Sequence, residues 1–437
     1  MAAINAQQKR VMIYDASNNA RSSFLAIGIK QERLFNVSPM NRYCYEVLLS
    51  KILTDPPITR EFFVRLGAKD GLKKNPTETF FLTKAAGRFT DVVTTLIRAA
   101  EDQDEEPFFG LWELINICID LELLAKVLSI YPDIGRKYKS LLSGSAQNEA
   151  IMGTLSEVLE PLFPLANAYK QSREEGRIYD LNDFPTSNHI LIMTRDDERG
   201  GKAQDLLYGL IINTVTKKVI GGHAVDGRTK PASTFLIADE FQNLGYLPAL
   251  LAIASEGGRY GASMMLASQA VGRIIEIWGK EKAEALIGNI THLISLKVPD
   301  SGTAEFMSKQ FGDTTVERIT PINNPEGVIF SQQIVNKPLF SPGDFLNLSK
   351  LSKVKKTPLE AIGKCDGDIF RTSFPYEDLA KMLPPEASDE LKAQDNAPQD
   401  RSIFFPQPLE DDDFIRLGLG HLVEDEEEEE DDESEDD

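Results

Sequence analysis

The chain has 437 residues, with 42% hydrophobic and 26% charged side chains, which suits a folded protein with one large α/β domain and a second unit. The net charge is −21, but the stretch Glu424–Asp437 contributes thirteen acids in fourteen positions and leaves about −8 on the rest of the chain. That balance excludes a body that binds nucleic acid through overall basic charge. Three widely spaced cysteines without CxxC spacing argue against a disulfide framework or a zinc site. No apolar run reaches the roughly 18 residues of a membrane helix and no apolar h-region opens the chain, so we expect neither a membrane span nor a signal peptide.

The first predicted elements form a β-α-β pattern. Val11–Asp15 is a short apolar run that ends in an acid, typical of a buried parallel strand. Residues 22–29 fit a short helix, and residues 34–37 fit a second strand that stops before Ser38-Pro39. The pattern predicts the beginning of an α/β fold.

From residue 75 to residue 179 the pattern becomes helical. Pro76-Thr77-Glu78 opens a helix, with Asn75 or Thr77 as the candidate cap. Residues 111–131 and 150–169 also show helical spacing with little β-branched alternation. We predict an all-helical insertion of roughly 100 residues.

Strand signals then return at residues 189–193, 233–238, 262–267 and 292–297, separated by helices such as the one predicted over 202–219. Alternating strands and helices favour a parallel sheet with helices on both faces. The region after residue 345 is irregular in pattern, and residues 385–410 have the composition of a linker.

The strongest local motif is the apolar run Phe235–Ala238 followed by Asp239-Glu240. This is the form of a Walker B motif, in which the aspartate holds Mg²⁺ through water and the glutamate polarises the attacking water. The alternative for the same residues is a solvated strand end.

Two further candidates follow at suggestive spacing. Arg259 lies in a Gly-Arg-Tyr-Gly turn before the next strand and can reach a neighbouring subunit to neutralise phosphate charge; the alternative is an arginine that complements a helix dipole. Gln269 ends that strand and can sense a γ-phosphate; the alternative is a cap of the next helix. At the strand ends, Ser268 and Asp15 are the candidates for contacts with the nucleotide.

In order, these motifs resemble the core of the TraG/TraD/VirD-type coupling proteins of type IV secretion and conjugation, which are related to FtsK-type DNA translocases. The resemblance covers about residues 8–350 and is most specific over 233–312. The matching features are Asp239-Glu240, Leu244-Gly245, Leu247-Pro248, Arg259-Tyr260-Gly261, Ser268-Gln269, Trp278-Gly279, Gly288-Asn289, Thr303-Ala304-Glu305 and Phe311-Gly312.

The resemblance implies a RecA-like parallel sheet flanked by helices, with an inserted all-helical domain. We expect the first part of the nucleotide-binding domain at 1–72, the insertion at 73–182, the second part at 183–350, an irregular extension at 351–400, and a linker with a disordered acidic tail at 401–437. It further implies ATP and Mg²⁺ as cofactors, hexameric rings, and DNA, relaxase or secreted proteins as substrates passed to channel components. The implied location is the cytoplasmic face of the inner membrane, reached through an N-terminal anchor that the family carries.

One departure from the family pattern is important for ATP binding. No GxxxxGK[ST] phosphate loop occurs in the sequence, and Gly67–Gly71 lacks the strand–loop–helix context and the Lys-Ser/Thr pair. We therefore expect the chain to be inactive alone and to need a phosphate loop from an upstream segment. The alternatives are a catalytically inactive scaffold or adaptor of the same apparatus, and an unrelated α/β enzyme in which the Asp-Glu and Ser-Gln matches are coincidental.

The acidic stretch Glu424–Asp437 cannot bury a core, because its like charges repel and it has no apolar side chains. It is either a solubilising tail or a recruitment segment for a basic partner. Phe404-Phe405-Pro406 and Phe414–Leu417, just upstream, are candidate docking anchors.

Overall fold

The computed structural model describes residues 9–16, 19–68, 75–139, 145–196, 200–221, 233–324, 327–352, 354–382, 385–395 and 408–422. The chain divides into two compact units. The first comprises Met1–Asp239, Gly257–Met265 and Glu386–Asp437, and the second comprises Glu240–Glu256 and Leu266–Pro385. Among the described residues, no helix has both the length and the hydropathy that crossing a bilayer requires.

The first unit is built on a five-stranded sheet with the order β2-β3-β1-β4-β5. The strands are β1 (Arg10–Asp15), β2 (Leu34–Asn36), β3 (Ile190–Thr194), β4 (Thr234–Ala238) and β5 (Ala262–Leu266). The pairings β2–β3, β1–β3 and β1–β4 are all parallel. Every residue of β3 is buried, as expected for a strand covered on both faces. The predicted parallel sheet flanked by helices is thus confirmed.

Nine helices of the first unit lie between β1 and β4 in the described part of the chain. They are α1 (Ala20–Ala26), α2 (Pro56–Gly67), α3 (Pro76–Asp102), α4 (Leu111–Ile119), α5 (Leu121–Ser129), α6 (Pro132–Gly135), α7 (Ala146–Leu159), α8 (Phe163–Glu174) and α9 (Gly201–Ile220).

Helices α2 to α8 are inserted between β2 and β3, two strands that pair directly in the sheet. The predicted all-helical insertion is therefore present. Its first helix, α2, lies before the expected boundary at residue 73 and packs on α3, with the rings of Phe63 and Phe89 5.1 Å apart. Pro56 and Pro57 occupy the first helical turn of α2, where a missing backbone N–H costs nothing.

A charged cluster lies in the interior of this helical region. Arg173 bridges the carboxylates of Glu46, at 2.5 Å, and Glu113, and both glutamates have no exposed side-chain surface. Burial raises the pKa of Glu46 to about 7 despite the charge of Arg173. Burial also opposes ionisation of Glu113, but Arg173, the Gly110 N–H and a second arginine hold its pKa below the usual value.

That second arginine, Arg416, comes from the C-terminal part of the first unit. Here the described helices are α16 (Asp389–Asp395) and α17 (Asp411–Arg416), and Arg416 reaches Glu113 at 2.7 Å. Gln103, just after α3, donates a hydrogen bond to the Gly418 carbonyl at 2.9 Å, and Leu417 and Leu419 are buried. The expectation of a linker over 401–437 is wrong for residues 408–422, because this segment buries leucines and an ion pair on the chain's own helices. Glu424–Asp437 and Phe404-Phe405-Pro406 lie outside the described residues.

The second unit combines helices with two antiparallel hairpins. In chain order its elements are α10 (Pro248–Glu256), α11 (Val271–Trp278), α12 (Lys280–Gly288), β6 (Leu293–Ser295), α13 (Ser301–Gln310), β7 (Asp313–Asn324), β8 (Gly327–Pro338), α14 (Pro342–Leu346), β9 (Leu359–Cys365), β10 (Asp368–Phe374) and α15 (Tyr376–Met382).

Two expectations about this unit are wrong. The sixth predicted strand, β6, pairs antiparallel with β9 in a separate three-stranded sheet. The strands β9 and β10 themselves lie in the range 351–400 that was expected to be irregular. Their turn is Asp366-Gly367, both with positive φ, which is a strong hairpin signal that the composition of the region obscures.

Candidate functional site

The ends of β1 and β4 lie side by side at the carboxyl edge of the parallel sheet. Tyr14 is in register with Ala238, and the Asp239 N–H donates to the Tyr14 carbonyl at 3.0 Å. Asp15, the last residue of β1, and Asp239, the first residue after β4, therefore lie at the same edge of the sheet. The carboxyl edge of a parallel sheet is where α/β proteins bind ligands.

Asp15 has a structural role at this edge. Its side chain is buried, and its Oδ2 accepts hydrogen bonds from the backbone N–H groups of Asn19 and Ala20, both at 2.7 Å. A carboxylate in this position satisfies amide groups that the start of α1 leaves without helical partners. The assignment of Asp15 to nucleotide binding stays a prediction.

Asp239 and Glu240 leave β4 with different backbone geometries. Asp239 is exposed, whereas Glu240 is half-buried and adopts a left-handed conformation with φ 48°. A non-glycine residue at positive φ costs of order 1 kcal/mol, and such residues occur in turns and are enriched at functional sites. The turn that follows is the 3-10 helix Phe241–Leu244.

Within the second unit, Glu240 lies next to Gln269. The Gln269 Nε2 donates a hydrogen bond to Glu240 Oε1, and Asn243 Nδ2 donates to Oε2 at 3.4 Å. The backbones are joined as well, because the Phe241 N–H donates to the Ala267 carbonyl at 3.2 Å. The structure thus connects two residues that the sequence placed at separate strand ends. Asn243 was not predicted; its position three residues after Glu240 in a helical turn is the signal that could have found it.

A tryptophan supports this turn in the second unit. The Trp278 indole N–H donates to the Gly245 carbonyl at 3.1 Å, and the Trp278 ring packs edge-on against Tyr246, with centroids 5.1 Å apart. Gly245 and Gly279 both have positive φ, near 75°, which side chains rarely adopt. The Leu244-Gly245 and Trp278-Gly279 motifs therefore stabilise the turn that begins at Glu240.

The remaining two candidates are both exposed. The Ser268 hydroxyl contacts only the Ala270 carbonyl, at 3.4 Å, among the bonds of the described residues. Arg259 lies in the 3-10 turn Gly257–Tyr260, and its guanidinium forms no ion pair or hydrogen bond within the described ranges. Because Arg259 is exposed and has no partner in the described part of the chain, it is available to another molecule. It can equally complement the end of a helix.

The carboxylates fit one mode of magnesium binding. No group of three His, Cys, Asp or Glu side chains in the described part of the chain is arranged to hold a metal ion. Mg²⁺ in phosphoryl-transfer sites takes one or two carboxylates and completes its shell with water and phosphate oxygens. The exposed Asp239 suits that mode, whereas Asp15 is buried.

A search among known families matches the region that holds these residues. Residues 233–350 match the family model described as the TraM recognition site of TraD and TraG. A stretch of 175 residues, 39% of this chain, is 31% identical to the conjugal transfer protein TraG of Rhizobium radiobacter and covers 26% of it. A stretch of 288 residues, 63% of this chain, is 29% identical to the type IV secretion system-coupling protein VirD4 of Bartonella quintana and covers 42% of it. The matched stretches thus span less than half of these relatives.

Solved structures of the conjugative coupling protein TrwB share the fold. The unbound TrwB lacking its first 70 residues has a TM-score of 0.56 at 13% identity, with 86% of each chain covered. TrwB in complex with ADP and Mg²⁺ has a TM-score of 0.54 at 14% identity, covering 84% of this chain and 85% of that one.

The sheet, its helical insertion and the acidic pair at the end of β4 define a RecA-like α/β protein. Together with the matches to TraG, VirD4 and the TraD/TraG model, they support a relationship of the chain to the type IV secretion coupling proteins.

Proposed function

We propose that the chain is the motor-domain portion of a coupling protein that delivers DNA, protein or both to a conjugation or secretion channel by ATP-driven translocation. The observation that carries the proposal is the Asp239-Glu240 pair after β4, with Gln269 bonded to Glu240, inside the segment that matches the family model. The resemblance to ring-forming motors supports a hexamer at the cytoplasmic face of the inner membrane.

Each residue of the pair has a separate task in this proposal. Mg²⁺-bound ATP supplies the phosphoryl group and the charge neutralisation when it is bound. Asp239 would hold the metal, and Glu240 would orient the attacking water. Gln269, bonded to the same carboxylate, would hold Glu240 in position.

Arg259 acts on a neighbouring subunit in this proposal. Its exposure and its lack of a partner within the described residues support a role outside its own chain. The substrates and partners that we propose are DNA, a relaxase or secreted proteins, and channel components. The TraD and TraG proteins of the matching model carry a TraM recognition site, so a TraM-like accessory protein is a further partner to test.

ATP binding also requires a phosphate loop that residues 1–437 do not contain. Without that loop no lysine and no row of backbone N–H groups neutralises the phosphates. Nucleotide turnover therefore needs the loop to be supplied in addition to these residues. The same observation favours the alternative of a catalytically inactive scaffold or adaptor of the secretion apparatus.

The deciding experiment measures ATP hydrolysis by the chain alone and by the chain mixed with a second segment. That segment carries the phosphate loop of a coupling protein without its membrane anchor. We expect negligible turnover alone and Glu240-dependent turnover in the combination, lost in Glu240→Gln and kept in Glu305→Gln, an exposed glutamate on α13. Turnover by the 437-residue chain alone that Glu240→Gln abolishes would refute the need for the loop. If no combination hydrolyses ATP, the result would favour the alternative of a catalytically inactive scaffold.

A further inference from the structure

A basic cavity of about 850 Å³ opens in the helical region of the first unit, lined by residues of α2, α3 and α7 and by two residues that follow α6. Among the described residues, four cationic side chains and one carboxylate, Asp91, line it. The cations are Arg60, Lys84, Arg88 and Lys137. Lys137 is paired with Asp91 at 3.1 Å, so the other three give the cavity its net positive charge.

Arg88 is the unusual member of this set. Its side chain is only 4% exposed, and its Nη2 donates to Asn148 Oδ1 at 2.8 Å. Its Nη1 is buried and has no hydrogen-bond partner among the described residues. Burial lowers the pKa of the guanidinium, because a charged group that loses water without gaining a partner is destabilised. Arg88 lines the cavity, so its charge adds to the positive potential there.

The wall of the cavity is also open at the helix backbone. Gly87 lines the cavity in the middle of α3, where a glycine weakens a helix by about 1 kcal/mol relative to alanine. A Cβ built at this position would meet no atom within 4 Å. Open space over a helix backbone lets a ligand approach closely.

A second cavity of about 780 Å³ shares Tyr138 with the first. It is lined by three more cations and one carboxylate, Glu122. These cations are Lys126, Arg136 and Lys139. One face of the helical region therefore concentrates positive charge, in a chain whose net charge is −21.

The chain carries its own candidate occupant. Residues 408–422 are fixed to the far end of α3, where Gln103 bonds to Gly418 at 2.9 Å, and the chain then continues into its acidic end. From Gln103 back to Arg88 the helix spans about 22 Å at 1.5 Å per residue. A stretch of fourteen residues reaches up to about 46 Å.

We propose that the two cavities form one binding surface for clustered carboxylates, the α3 anion site, and that its occupant is the acidic end of the same chain, Glu424–Asp437. The charges are complementary, and the anchor at Gly418 keeps the occupant within reach. Tethering gives the tail an effective concentration of millimolar order at the site. An acidic segment of another protein must then displace the tail.

The test uses a fluorescent peptide with the sequence of Glu424–Asp437, titrated by anisotropy with the full chain and with a chain ending at Val423. The shortened chain should bind the peptide at least tenfold more tightly than the full chain, because the tethered tail competes. Binding should weaken steeply between 50 and 200 mM salt. Lys84→Gln with Lys139→Gln should abolish it, and the matched pair Lys309→Gln with Lys337→Gln, exposed in the second unit, should not.

Three outcomes would overturn the proposal. If the full chain and the shortened chain bind the peptide with equal affinity, the tail does not occupy the site. Unchanged binding by the Lys84/Lys139 variant, with an unchanged thermal melt, would remove the site. Tight binding of duplex DNA without binding of the peptide would refute the choice of carboxylates as the ligand. Millimolar inorganic phosphate, by contrast, should displace the peptide if the surface is an anion site.

Discussion

The Gln269 side-chain amide donates a hydrogen bond to the Glu240 carboxylate, although 29 residues separate them in the sequence. Glu240 holds this position in a left-handed backbone conformation that glycine adopts more easily than glutamate. The bond joins the residue proposed to orient the attacking water to the residue proposed to sense the phosphate. In the proposed function, this bond is where hydrolysis would be coupled to movement of the chain.

We expect Glu240 and Gln269 to act as one unit in ATP hydrolysis. In the chain combined with a phosphate-loop segment, Glu240→Gln should lower the rate by about 10³-fold and Gln269→Leu by about 10²-fold. The double variant should be no slower than Glu240→Gln, since coupled residues are not additive. A steady-state double-mutant cycle measures this, with Gln333→Leu as an exposed control. Fully additive losses would mean that the hydrogen bond has no part in the reaction.

The left-handed backbone conformation of Glu240 should lower the free energy of unfolding. Glu240→Gly should raise the free energy of unfolding by about 1 kcal/mol, because glycine adopts φ 48° without strain. Glu305→Gly, in the middle of α13, should lower it by about 1 kcal/mol. Urea unfolding of both variants gives the comparison. A destabilised Glu240→Gly would show that the bonds of the Glu240 side chain outweigh the strain.

Arg259 should act between subunits. Arg259→Ala should reduce hydrolysis by about 10³-fold or more in a ring of identical variants. Mixing it with Glu240→Gln subunits should restore part of the activity, because an intact site and an intact arginine then meet at some interfaces. Turnover measured against the mixing ratio tests this, and Arg273→Ala, exposed on α11, is the control. A normal rate for Arg259→Ala would assign the residue to the helix end alone.

The two buried glutamates should differ in their effects on stability. Glu113→Gln removes the buried carboxylate that Arg173 and the half-buried Arg416 share. Each arginine keeps a second carboxylate, Glu46 or Asp413, so the substitution should cost about 3 kcal/mol. Glu46→Gln should cost less at neutral pH, because burial raises the pKa of Glu46 to about 7 from its usual 4.5.

The sign of the pH dependence follows from that shift. The folded chain holds the Glu46 proton more tightly than the unfolded chain, so this group stabilises the fold below about pH 4.5 and loses that contribution as the pH rises towards 7. The wild-type free energy of unfolding should fall more steeply over this range than that of Glu46→Gln. Denaturation at pH 5, 6 and 7.5 measures the difference, and parallel curves for the two chains would contradict it.

The sequence by itself determined the elements whose signal is local. The apolar runs that became β1 to β5 and the helical spacing over residues 75–179 need only their own side chains to be recognised. The Asp239-Glu240 pair was visible for the same reason, since an acidic pair directly after a buried strand is a local pattern. The order of these motifs was enough to indicate the family.

Only the tertiary structure decided which distant groups meet. The pairing of β6 with β9, the bond from Gln269 to Glu240 and the ion pair of Arg416 with Glu113, 303 residues apart, all depend on packing between segments that no periodicity relates. The tertiary structure likewise fixed Leu417 and Leu419 on the helical insertion, because burial of side chains and of a paired charge outweighs the linker-like composition around them.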